Sequence, residues 1–186
     1  MIFSDHYKVV GIGIPKTATR SFAASLSMDY VRVSPGHPTA LDVSGDLENR
    51  GKVWGDYYSF VITRNPWDRY YSFYNFLVGA RKSVPPRRVD PKLIFKAFIS
   101  QMASQDSFFL DGKGDVMVEH LGDFENLNAE FAHLCGKMGI EERPLQHVNT
   151  SKSVATRDEL FDDEVVDIIA QKEAVVIGLM GYSYPG

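Results

Sequence analysis

Apolar residues fall into two kinds of run along this chain. Short continuous runs without polar alternation predict strands buried on both faces, whereas runs with a period near 3.6 predict helices. The first continuous run is Tyr7–Ile14 (YKVVGIGI), read as a buried strand. A polar turn, Pro15–Thr19, separates it from Arg20–Ser27, a helix with Phe22, Ala23 and Leu26 on one face. Tyr30–Val33 is a second strand candidate, Thr39–Asn49 a helix, and Tyr58–Thr63 (YSFVIT) a third, buried strand.

Asn65-Pro66 has the form of a helix start. Asn is a favoured cap, and Pro in the first turn forfeits no needed hydrogen bond. That helix is expected to run through Trp67–Val78. Arg81–Lys92 (RKSVPPRRVDPK) is rich in proline and base and reads as an exposed loop, with periodic segments on both sides. Val116–His120 is a further strand candidate, and Glu125–Lys137 a helix placing Leu127, Phe131 and Leu134 on one face before Gly139. The last helix is expected over Asp163–Leu179. Strands alternating with helices predict an α/β fold with a mainly parallel central sheet and a ligand site at the strands' carboxyl ends.

Composition narrows the classes. A chain of 186 residues with 44% hydrophobic and 24% charged residues is globular and of single-domain length, so one domain over 1–186 is expected. One cysteine, Cys135, excludes an internal disulfide and a four-thiolate metal site; it is expected to be a buried, inert helix residue. The longest apolar runs fall far short of the roughly 20 residues that span a bilayer. No secretory signal is visible in MIFSDHYK, so a cytoplasmic location without a membrane span is expected. A net charge of −4 weighs against nucleic-acid binding but leaves room for a local anion pocket.

The turn after the first strand has the character of such a pocket. Pro15-Lys16-Thr17-Ala18-Thr19-Arg20-Ser21 joins a buried strand to a helix start, where the first peptide N–H groups lack internal partners. Lys16 adds a mobile charge; Thr17, Thr19 and Ser21 add hydroxyls. Two common phosphate motifs fail here. The Walker A pattern needs Gly where Pro15 and Val10 stand, and the third Gly of the dinucleotide fingerprint falls on Lys16.

The turn resembles that of the sulfotransferase superfamily, P-K-T/S-G-T-T-S/W, here PKTATRS. A second signature follows the third strand: Arg64 and, eight residues on, Ser72, within RNPWDRYYSFYNF. This is similar to the carbohydrate-type, family 2-like branch. His37-Pro38-Thr39-Ala40 resembles that branch's H-x-T-A segment, Gln105–Leu110 its Q-x-x-F-L stretch, Phe124-Glu125-Asn126-Leu127 its F-E-N-L helix, and His147–Lys152 its H-x-N-x-S-K loop. Each piece is weak alone; the ordered set is specific.

The resemblance implies a P-loop NTPase-like three-layer α/β/α fold, the sulfuryl donor 3′-phosphoadenosine 5′-phosphosulfate (PAPS), and a small-molecule or carbohydrate acceptor attacking through a hydroxyl or amine. Carried over by position, Lys16, Thr17, Ala18, Thr19, Arg20 and Ser21 hold the 5′-phosphosulfate. Arg64 and Ser72 hold the 3′-phosphate, and Asn149 and Ser151 lie near the donor. His37 matches the base position, with His147 in reserve. Ala18 stands where the family has Gly, and Arg20 where it has Thr. If position 18 requires positive φ, Ala is strained there.

The chemistry suits these residue types. Negative charge grows on the leaving bridging oxygen, where an ammonium and fixed N–H donors stabilise the transition state over the ground state. A neutral His can take the acceptor's proton near pH 7. The scheme needs no metal. Arg69 is expected to be solvated or ion-paired, and Tyr70, Tyr71, Phe73, Tyr74 and Phe76 to pack against the sheet in preference to lining an acceptor pocket. Two other readings remain open: a nucleotide kinase using ATP and magnesium, against which Pro15 speaks, and a nucleotide-binding protein without sulfuryl transfer.

Overall fold

In the computed structural model, which describes residues 1–30, 32–33, 36–81, 90–146 and 153–186, the buried apolar runs form a 5-stranded sheet. The elements in chain order begin with β1 (Ile2–Ser4), β2 (Val9–Ile12), α1 (Thr19–Tyr30), β3 (Arg32–Val33), α2 (Ala40–Glu48) and β4 (Tyr58–Thr63). There follow α3 (Pro66–Arg81), α4 (Pro91–Gln101), β5 (His120–Asp123), α5 (Leu127–Met138), α6 (Arg157–Leu160), α7 (Asp163–Lys172) and α8 (Ala174–Met180). They divide into two compact units, each made of two stretches of chain. One is Met1–Thr63 with Gln105–Val148; the other is Arg64–Ser104 with Asn149–Gly186. Among the described residues no helix is long and apolar enough to cross a membrane.

The first unit holds the whole sheet, in the order β3-β1-β2-β4-β5. β2 pairs in parallel with β4, and β4 with β5. β1 pairs antiparallel with both β2 and β3. β2, β3, β4 and β5 therefore share one direction, and β1 opposes it, so the mainly parallel sheet expected from sequence is present. On one face, Ile2, Val9, Phe60 and Ile62 meet Phe22 and Leu26 of α1 and Phe131, Leu134, Cys135 and Met138 of α5, all buried. Burial of each large side chain contributes about 1.5–3 kcal/mol. Gly11 lets β2 lie against this layer, because a Cβ there would stand 2.6 Å from Cζ of Phe60.

The second unit is helical. Trp67, Tyr70 and Tyr74 of α3, Phe95 and Ile99 of α4, Leu160 and Phe161, and Val165 and Ile169 of α7 form its core. The aromatic residues of α3, expected against the sheet, pack instead on helices of this unit: the Tyr74 ring meets Phe95 of α4 edge-on at 5.2 Å, and Phe76 is exposed.

Several elements differ from expectation. The strand expected over Val116–His120 lies further on, at His120–Asp123. Val116 instead makes an isolated bridge to Leu110. Gly122 and Asp123 disfavour a strand by propensity, yet a Cβ at Gly122 would stand 2.5 Å from Ile62, so close packing selects glycine. The single helix expected over Asp163–Leu179 breaks at Glu173, whose N–H caps α7 on Ile169 while its carbonyl starts α8. The apolar period runs across the break and conceals it. β1 and α4 were not expected. Asp90 caps α4 by accepting from the Lys92 N–H at 2.9 Å, with Pro91 in the first turn.

Candidate functional site

The chain leaves β2 at Ile12 and turns through buried Gly13 and Ile14 into the start of α1. Thr17 is 1% exposed, and its hydroxyl donates to the Ile14 carbonyl at 3.1 Å, stapling the turn. Gly13 permits the tight return: a Cβ there would stand 3.1 Å from Cγ2 of Thr19. Lys16 and Ala18 both occupy the left-handed region, at φ 72° and 61°. Left-handed residues alternating with ordinary ones bend successive N–H groups toward one concavity, the geometry of an anion nest. The Ala18 carbonyl accepts the first helical bond, from Phe22 N–H at 3.1 Å. Thr19, Arg20 and Ser21 thus form the first turn of α1, the end at which a helix's N–H groups point outward along its axis.

Lys16 and Thr19 are half-buried, Ser21 is buried, and Arg20 is exposed. From Pro15 to Ser21 the turn carries no carboxylate; it offers peptide N–H groups, an ammonium, a guanidinium and hydroxyls. That donor set fits a phosphate or sulfate group.

His37 joins the same strand end. Its Nδ1 lies 2.5 Å from the Gly13 carbonyl oxygen. A carbonyl only accepts, so Nδ1 carries a hydrogen, and Nε2 is left as the nitrogen that can offer a lone pair. The ring is exposed. Two residues later, Thr39 caps α2. Thr39 Oγ1 accepts from the Asp42 N–H at 3.1 Å, and Asp42 Oδ2 accepts from the Thr39 N–H at 2.9 Å. These bonds, the one from the Thr39 N–H above all, hold the Asp42 carboxyl below its ordinary range.

In the second unit, Arg64 directly follows β4 and is half-buried. Ser72, also half-buried, lies on α3. Between them Arg69 is 1% exposed and forms an ion pair at 3.0 Å with Glu173, which is 0% exposed. It is ion-paired, not solvated. Arg69 Nη2 also donates to the Ala103 carbonyl at 3.1 Å. The Tyr70 hydroxyl donates to Glu173 Oε1 at 3.0 Å, and burial pushes that phenol far above its usual range. Glu173 had no sequence signal beyond being a charge inside an apolar period.

The remaining residues divide as follows. Asn149, Ser151 and the reserve base His147 lie outside the described residues, as does most of the basic loop. His120 Nε2 lies 2.6 Å from Glu130 Oε2, and its ring stacks on His133 at 4.8 Å. His120 stands at the start of β5, and the Pro15–Ser21 turn follows the other end of the parallel strand β2. Cys135 is buried in α5, and burial pushes its thiol up, which leaves it inert as expected. Among the described residues, no three His, Cys, Asp or Glu side chains gather where they could hold a metal ion.

Comparison with known proteins gives two matches. The model of the Sulfotransferase family matches residues 1–164. No curated protein matches the chain. Among solved structures, the crystal structure of a sulfotransferase from Alicyclobacillus acidocaldarius is similar at 15% identity and a TM-score of 0.40, over 77% of this chain. The matched part spans 61% of that protein's length.

Proposed function

The chain belongs to the sulfotransferase family, and from that premise we propose that it transfers a sulfuryl group from PAPS to a hydroxyl or amine of a small-molecule or carbohydrate acceptor. The observation that carries the reading is the strand–turn–helix Gly13–Ser21. It sets Lys16 in a left-handed nest beside a helix start and fastens His37 to the same strand end. The reading includes the P-loop-like three-layer fold of the family and one catalytic domain over residues 1–186.

When bound, PAPS supplies a sulfuryl group on a phosphate leaving group. Lys16 and the first N–H groups of α1 hold the phosphosulfate and neutralise the charge that grows on the bridging oxygen as the sulfur–oxygen bond breaks. Thr17, Thr19, Arg20 and Ser21 complete that grip. His37 takes the acceptor's proton at Nε2 as the new bond to sulfur forms, while the Gly13 carbonyl keeps Nδ1 protonated. By the family pattern, Arg64 and Ser72 hold the 3′-phosphate, and Asn149 and Ser151 belong near the donor. A guanidinium suits that role, because its fork of donors matches phosphate oxygens.

The test pairs binding with turnover. Calorimetry with adenosine 3′,5′-bisphosphate, the desulfated product, should register binding to the wild type and weaker binding to Lys16→Ala. Lys16→Ala should lose about 10²–10³ in turnover. His37→Ala should bind the nucleotide normally and lose about 10²–10⁴. No heat with the bisphosphate, or wild-type turnover in Lys16→Ala, would overturn the reading. Binding without turnover on any acceptor would favour a nucleotide-binding protein instead.

A further inference from the structure

We infer that the C-terminal segment, and Glu173 above all, is the positioning element for the residues that grip the donor's 3′-phosphate; this rests on assigning that phosphate to Arg64 and Ser72. The family match ends at residue 164, yet side chains at the start of α3 are tied to chain beyond that point. Asn65 Nδ2 donates to the Ser183 carbonyl at 2.8 Å, and Trp67 Nε1 to the Val166 carbonyl at 3.1 Å. Arg69 and Tyr70 both donate to one oxygen of Glu173, each at 3.0 Å. Arg64 immediately precedes these anchors, and Ser72 follows Arg69 by one helical step of three, on the neighbouring part of the helix surface.

The double contact on Glu173 Oε1 has a geometric meaning. Successive residues of an α-helix project about 100° apart around the axis. Two neighbours that meet one fixed oxygen therefore set both the rotation and the height of α3. The oxygen is itself fixed, because Glu173 sits at the break where α7 ends and α8 begins. A buried ion pair is a poor source of net stability, since apolar side chains of similar volume serve as well or better. What it supplies is direction. Its location on the helix that carries Ser72 assigns that direction a use.

The experiment measures the grip on the 3′-phosphate in the full chain, as the ratio of Kd for adenosine 5′-phosphate to Kd for adenosine 3′,5′-bisphosphate. Glu173→Gln keeps the shape and removes the charge that orients Arg69. Its ratio should fall about tenfold, the scale of one misplaced charge-assisted bond. Its affinity for adenosine 5′-phosphate should stay within about twofold, because that ligand does not need the aligned helix. The double variant R69M/E173M removes both charges at similar volume but also takes these partners from the buried Tyr70 hydroxyl and the Ala103 carbonyl, so its Tm should fall by several degrees while the chain still folds. Its ratio should remain low, which a merely structural pair would not produce. A wild-type ratio in the folded double variant overturns the inference. If the double variant fails to fold, the ratio in Glu173→Gln decides: an unchanged value overturns it. A wild-type protein that binds the bisphosphate no better than the monophosphate defeats the assignment of Arg64 and Ser72 instead, and the inference with it.

Discussion

Ala18 holds a backbone conformation that its side chain opposes. At φ 61° an L-residue carries a penalty of about 1–2 kcal/mol. Ala18→Gly removes it but gives the unfolded chain more freedom, worth about 0.4–1 kcal/mol. The net expectation is a gain of about 0.5–1 kcal/mol, read in thermal unfolding as a Tm higher by about 2 °C. A second residue-level expectation concerns Asp42. Its carboxyl is depressed in the folded chain, chiefly by the Thr39 N–H and then by the Thr39 hydroxyl. Stability from this cap is therefore full above the unfolded value near about 3.9 and is lost as pH falls through it toward the folded value. Denaturation midpoints of wild type and Asp42→Asn should differ by a constant amount above about pH 5 and converge as pH falls below about 3.9. Sequence made the phosphate turn legible because its donors are consecutive and its strand and helix are local. It flagged His37 only through the family pattern, since the bond to Gly13 spans 24 residues. It could not reveal Glu173, whose meaning depends on Arg69, 104 residues away.

Elements with local signals were read well. β4 and the starts of α2 and α3 fell where Thr39, Tyr58 and Asn65-Pro66 placed them. α4 carries the same kind of start, Asp90-Pro91, but the neighbouring basic loop masked it. β5 and the α7–α8 break depended on tertiary packing that propensity does not encode: Ile62 against Gly122 in one case, the buried carboxylate of Glu173 in the other. The contact between β2 and β4 is also sensitive to a single change. In Gly11→Ala the new methyl would meet Cζ and Cε1 of Phe60 at 2.6 and 2.8 Å, and Cβ of Ile2 at 3.2 Å. Phe60 is 4% exposed and has little space to retreat. A loss of about 1–3 kcal/mol is expected in chemical denaturation, without loss of the fold.

At the scale of the molecule, a ligand that binds the folded chain alone raises its stability in proportion to the logarithm of occupancy. Adenosine 3′,5′-bisphosphate at about 100 times its Kd should add about 2.7 kcal/mol, a Tm rise of several degrees, whereas Mg-ATP should add little. The opposite ranking in a thermal-shift assay would point to a kinase. The net charge of −4 leaves an anionic donor to be drawn by the local donors of the turn, not by the overall field. The interleaving of the two units bears on how the protein is made. The sheet unit includes chain as far as Val148, and the helical unit needs α7 and α8, which follow that point. Neither can close on the ribosome when its first half emerges. Each waits with open apolar faces until its second stretch has emerged, an interval in which a nascent chain depends on chaperones.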